Sequence, residues 1–228
     1  MRTLRTIAIA LLPVALLLGW FAPTNPARAG AQDSPDITED GLVRVPSTAK
    51  AGVYRAPGVP FARYGRVIIG PTIPIVFRNG WQRAHREVTP EDVENIRADF
   101  ARAFRIELEN ELVKRGRLAV APAADTDVLR VDATVTDLDL SAPAAGTAPS
   151  SRTYTRSAGS MKVVVELRDA ASGVLIGRII DYEKTREFQD PQPANQVTNL
   201  EEFRIGFANA ARYTREAINV AKAERPPP

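Results

Sequence analysis

One histidine, no cysteine and a scatter of carboxylates are what this sequence of 228 residues offers to reaction chemistry. His85 stands in a polar stretch with Arg83, Arg86 and Glu87. A histidine base needs a group that orients its ring, and only Glu87 is near in sequence. It is read as a solvent-exposed surface histidine. The densest acidic groups are Asp125 with Asp127, and Asp132 with Asp137 and Asp139. Calcium takes roughly 6–8 oxygens from a loop of fixed spacing, which these residues lack. They are expected on a turn and on a solvated strand face. No nucleophile elbow, S-x-x-K, H-E-x-x-H or glycine-rich phosphate loop is present. The sequence therefore predicts no catalytic, cofactor-binding or metal residue. Five side chains remain as candidate partner contacts. Tyr64, Trp81 and Tyr154 are aromatic anchors of the kind interfaces favour, although Tyr64 and Trp81 fit equally well as caps on the core. Arg178 and Asp181 would line a groove or pair with each other, a surface ion pair being worth little.

The charge balance narrows the class further. The whole chain has 30 basic and 27 acidic residues and a sequence pI near 9.4. Residues 1–29 account for the excess, with Arg2, Arg5 and Arg28 and no carboxylate. They begin basic, continue through the apolar run Ile7–Ala22, and close on Ala27-Arg28-Ala29 after Pro23 and Pro26. That is the three-part pattern of a secretory signal peptide. The apolar run is shorter than the roughly 20 residues of a spanning helix. Cleavage after Ala29 is expected, giving a periplasmic protein with no stable transmembrane anchor. No cysteine follows the run, so no lipid is expected there. Without the leader the chain is neutral, which argues against a nucleic-acid partner. Zero cysteine excludes disulfides, zinc–cysteine sites and thiol nucleophiles.

The elements that must position any site can be read from periodicity. Residues 30–60 are expected as an extended segment that wraps the domain surface, with a short edge strand around Val43 and with Val53, Tyr54 and Phe61 anchoring it. A single α+β domain is expected over 61–223, and a disordered tail over 224–228. Arg66–Phe77 is rich in branched residues but interrupted by Gly70-Pro71 and Pro74, so it predicts two short strands or one edge strand with a bulge, and Arg78–Val88 is expected as a polar turn holding Trp81. Thr89-Pro90-Glu91-Asp92 is a helix start, and Val93, Ile96, Phe100, Phe104, Leu108 and Leu112 form one apolar stripe. Gly116 is the expected left-handed residue after it. Leu129, Val131, Ala133 and Val135 alternate, and the phase slips at Asp137, which predicts a bulge. Met161–Leu167 and Val174–Ile179 form a hairpin about the turn 169–173, with Gly173 left-handed and a second slip at Gly177. Asn199-Leu-Glu-Glu202 reads as a capping box opening a second helix striped by Phe203, Phe207, Ala210 or Ala211, Ile218 and Ala221. Residues 141–159 and 188–197 are expected loops. The fold class is α+β: an antiparallel or mixed sheet with two amphipathic helices packed on one face.

Several of these segments carry a resemblance. Val53-Tyr54-Arg55-Ala56-Pro57-Gly58, Tyr64 to Pro71, Ser160-Met161, the Glu166–Gly173 hairpin and the Asn199–Phe207 helix start together resemble the bacterial domain of unknown function 3313 family. The resemblance spans about residues 42–222. It implies exported envelope proteins, many of them lipoproteins, and assigns no catalytic or binding residue. This chain lacks the lipid-bearing cysteine of those members. The functional expectation is a non-catalytic binding or assembly module that meets an envelope protein or cell-wall component, with homo-oligomerisation open. The alternative is a carboxylate-dependent envelope hydrolase, and a third reading is a small-molecule or lipid carrier.

Overall fold

Alternation of apolar and polar residues over 128–184 builds the centre of the molecule. The computed structural model describes residues 36–47, 49–141, 154–187, 189–190, 192–193 and 196–224. The expected signal peptide, the tail from 225 and most of the 141–159 loop lie outside them. Three long strands, β6 (Val128–Leu140), β8 (Gly159–Asp169) and β9 (Leu175–Lys184), pair antiparallel in the order β9-β8-β6. The short strands β1 (Val43–Arg44) and β2 (Gly52–Arg55) extend the sheet beyond β9. On the other side, β3 (Arg66–Ile69) and β4 (Ile75–Phe77) lie end to end along β6, and β5 (Ala119–Val120) flanks β3. β7 (Tyr154–Thr155) and β10 (Gln192–Pro193) form a separate two-stranded ribbon.

The sheet is mixed, because β3 and β4 run parallel to β6 and β3 to β5. Parallel neighbours need a crossover, and helix α2 (Pro90–Glu109) supplies it. The capping box at its start is realised, with Asp92 N donating to Thr89 Oγ1 at 3.1 Å and Thr89 N to Asp92 Oδ2 at 3.0 Å. Arg105 on α2 donates to the Gly70 and Pro71 carbonyls, tying the helix to the link between β3 and β4. Helix α3 (Gln196–Ala223) packs beside α2 on the same core. Phe100 and Phe104 meet Phe203 and Phe207 there, all four buried. Beneath them lie Leu129, Val131, Ala133 and Val135 of β6.

The phase slip at Asp137 is a break in the β6–β8 register between Thr136 and Asp139, with Asp137 at φ 52°. It restores Leu138 and Leu140 to the buried face. The slip at Gly177 is a second register shift, opposite Leu167 and Arg168.

Four expectations are corrected. Helix α3 starts at Gln196, so Asn199 is a buried residue inside the helix and does not cap it. Gly116 is right-handed at φ −79°, and the left-handed residue is Arg117 at φ 57°. The reason is that α2 does not stop but widens into a π-helical run, Asn110–Arg115, before turning. Glycine is required at 116 by space alone, since a Cβ would stand 2.5 Å from the Leu112 carbonyl oxygen. The stretch 78–88 contains a short helix, α1 (Trp81–Ala84), whose tryptophan is in the core. Finally, the segment before residue 61 does more than wrap the surface, because β2 pairs along β9 from Gly52↔Ile180 to Arg55↔Gly177.

Candidate partner-binding groove

Each expected contact residue has a definite place. Tyr64 is fully buried at 0% exposure and is not a surface anchor. Its hydroxyl donates to Asp169 Oδ2 at 2.9 Å, where Arg63 also binds. Asp169 Oδ1 accepts from Ser172 N and Oγ at 2.8 and 2.7 Å, closing the β8–β9 turn. Two segments that carry the family resemblance, Tyr64–Pro71 and Glu166–Gly173, thus meet at one carboxylate. The Ser172 hydroxyl, first among its partners, holds that carboxyl below the ordinary aspartate range. Tyr64→Phe is expected to cost about 1–2 kcal/mol in urea unfolding, because a buried charge-assisted hydrogen bond is lost while Arg63 and Ser172 remain. An unchanged midpoint would mean that the hydroxyl contributes nothing.

Trp81 is likewise interior. It stacks on Phe77 with ring centroids 4.2 Å apart and donates Nε1 to the Leu140 carbonyl at 3.0 Å. His85 is half-buried, stacked on Trp81, with Nδ1 2.9 Å from the Trp81 carbonyl oxygen, so it closes α1 from within the fold. Tyr154 belongs to β7, and its side chain lies outside the described residues.

Arg178 and Asp181 do not meet. Three residues apart on β9, they face opposite sides of the sheet. Arg178 lies on the face away from the helices. There Arg130, Asp132, Arg168, Glu166, Arg178 and Asp40 form an unbroken alternating chain of ion pairs across β6, β8, β9 and the segment before β1. Burial would push the Glu166 carboxyl up, but the guanidiniums of Arg178 and Arg168 hold it below the ordinary glutamate range. Of the other acidic groups, Asp125 and Asp127 pair with Arg66, and Asp139 pairs with Arg78 at 3.0 Å. No cluster of three or more metal-ligating side chains occurs among the described residues.

Asp181 faces α3 at 2% exposure, and its Oδ2 has no hydrogen-bond partner. Burial, reinforced by the charge and hydrogen bond of Glu183 on the same strand face, pushes its carboxyl up to about 7. A hydrolase working with two carboxylates holds them roughly 5–10 Å apart across a cleft that admits sugar or water. Asp181 and Glu183 instead sit two residues apart on one face of β9, at a helix–sheet contact with α3. Sequence reasoning passed over Glu111, a buried carboxylate in the π-helical run that binds Arg115 and accepts from Arg215 Nε at 2.8 Å. At i+7 from Phe104 and i+3 from Leu108 it lies on the apolar stripe by period, but its charge kept it from being counted with the apolar residues there.

The built concavity is elsewhere. Where β2 and β9 run past the helices, the last two turns of α3 leave a groove of about 380 Å³. Its floor is Val53, Phe61, Leu167, Ile179, Ala217 and Ala221. Its mouth carries Arg55, Glu216 and Glu224, with Arg55 paired to Glu224 across it. Ala210 and Ala211, earlier on the same helix, are fully buried against the core. Ala217 and Ala221 are the positions where small side chains leave space instead. The alanine-rich stripe in the sequence was the available signal, but it did not distinguish close packing from an opening. The volume lies in the range of small-ligand pockets.

An antiparallel-centred mixed sheet with two long helices on one face, a neutralised polar back and a groove at one edge defines an α+β module. The chain belongs to the family described as Protein of unknown function (DUF3313), whose model matches residues 35–213. No curated protein matches it in sequence. Among solved structures it is similar to the PelC dodecamer from Paraburkholderia phytofirmans, at 12% identity over 71% of this chain and 96% of that one, with a TM-score of 0.38. A single-substitution variant of that dodecamer in another crystal form aligns at 12% identity over 70% and 96%, with a TM-score of 0.30. No helix among the described residues is long and apolar enough to cross a membrane.

Proposed function

We propose that the protein is exported to the periplasm and works there as a non-catalytic binding module, holding an apolar part of an envelope partner in the groove beside α3. The groove is the observation that carries this reading: an apolar floor open to solvent, in a molecule whose exposed sheet face is a chain of mutually paired charges. The leader of residues 1–29 supports export. Val220 stands at the groove's edge with 57% of its surface exposed, a position from which a bound partner is within reach.

A photo-crosslinking residue at Val220 tests this in intact envelopes. It should give a discrete adduct that Ala221→Phe abolishes, while the same probe at Val174 on the β8–β9 turn gives none. Mass spectrometry of the periplasmic protein should find an N-terminus at or near Gly30. An adduct indifferent to Ala221→Phe, or a product retaining Arg2, would overturn the proposal.

A further inference from the structure

The groove's mouth bears both signs of charge over a floor that bears none, and this combination selects among ligands. Arg55 supplies a guanidinium at one side, while Glu216 and Glu224 supply carboxylates at the other. We infer that the groove takes a single acyl chain ending in a zwitterionic phosphate–ammonium head, as in a lysophospholipid. The inference rests on the binding reading above and names its ligand.

The floor admits an unbranched hydrocarbon because its walls are aliphatic or aromatic on the sheet side and methyl-sized on the helix side. A charged group pushed to that depth would lose its water with nothing to replace it, so the polar end must stop at the mouth. There Arg55 binds Glu224 through Nη2 alone. A guanidinium has five N–H donors, so Arg55 can take a phosphate oxygen while keeping its carboxylate. Glu224 is exposed, and Glu216 holds Arg212 and Arg215 only loosely, at 3.5 and 3.7 Å, so both carboxylates can turn toward an ammonium. An anionic head alone would meet two carboxylates against one guanidinium. An uncharged head would leave the mouth's pairing unused. A zwitterion matches both signs.

Titration calorimetry on the full chain, with probes below their micelle concentrations, decides the matter. Dodecylphosphocholine should bind one to one, about tenfold more tightly than dodecyl maltoside and than dodecyl sulfate, as expected from one charge-assisted contact. Arg55→Gln should reduce dodecylphosphocholine to the maltoside level and leave maltoside binding unchanged. Ala221→Phe should abolish binding of all three. Ala217→Leu, a smaller filling of the same wall, serves if that variant does not fold. Equal affinity for the three heads, or binding indifferent to both filling variants, would overturn the inference. No binding of any probe would also overturn it. In that case a Val220 adduct that still depends on Ala221 would leave the binding reading standing with another ligand, whereas loss of both results would remove both.

Discussion

Asp181→Asn is expected to stabilise the folded protein at pH 8 by about 2–3 kcal/mol and to leave it nearly unchanged at pH 4. The carboxyl is pushed up to about 7 in the folded state, chiefly by burial, against roughly 3.9 in an unfolded chain. The folded protein therefore holds this proton more tightly than the unfolded one. Its stability falls as pH rises from about 4 to about 7, and the full cost is present above that window. Three pH units correspond to about 4 kcal/mol at most, and the share carried by Glu183 reduces what one substitution can recover. The groups that face Asp181 are Glu183 on its own strand and Arg212 on α3, with Asn209 donating to Glu183 at 3.0 Å. An amide keeps the shape of the side chain and removes the buried charge. Urea unfolding of both proteins at the two pH values measures the effect. A gain of equal size at pH 4 and pH 8 would show that the substitution acts through packing and not through ionisation.

Phe104→Ala should be costly at every pH. Phe104 is fully buried and stacks on Phe207 with centroids 5.0 Å apart, while Phe100 meets Phe207 edge-on at 5.8 Å. Truncation removes a large apolar surface and leaves a cavity between two helices and a sheet that cannot close around it. The expected loss is about 3–5 kcal/mol, or roughly 10 °C in Tm for a domain of this size. Phe207→Ala should cost a similar amount. The double variant should lose less than the sum by about 0.5–1.5 kcal/mol, the worth of the aromatic pair itself. Losses below about 1 kcal/mol at both positions would mean that the helices can slide together, and that the groove farther along α3 does not have fixed walls.

These two cases show what was legible in the sequence and what was not. Phe104 announces itself, because spacings of three and four from Val93 to Leu112 put it on one stripe and the stripe must be buried. The bulge at Asp137 was legible for the same reason, since a period-two pattern that changes phase has to be repaired by an extra residue. Asp181 was visible as a residue but not as a buried one. The alternation through Ile179 places that position on the inward face and Arg178 on the other, but a carboxylate near the end of a strand reads locally as solvated. Tyr64 and Trp81 failed as surface anchors because an aromatic in a polar stretch has the same local signature whether it faces water or the core. Their hydrogen-bond partners, Asp169 and the Leu140 carbonyl, lie 105 and 59 residues away. The start of α3 was misplaced because Asn199 and Glu202 have capping-box spacing whether or not the helix begins there. The groove was the least legible feature. It depends on where a helix overruns a sheet, a relation between elements that no single element encodes.

The way the sheet ends on either side bears on how the protein survives at high concentration. Strands able to template another chain are long and present unpaired amides. Here the longest, β6, β8 and β9, are flanked by partners, and the outermost strands, β1 and β5, are only two residues each. The interrupted border of β3 and β4 carries Pro71 and Pro74, which offer no amide to an incoming strand. The far end of β9, beyond the reach of β2, carries Glu183 and Lys184. Among the described residues fibrillar stacking therefore finds no straight, uncharged border on which to start, and a chain refolding among many copies of itself is steered toward its own fold before it can polymerise edge to edge.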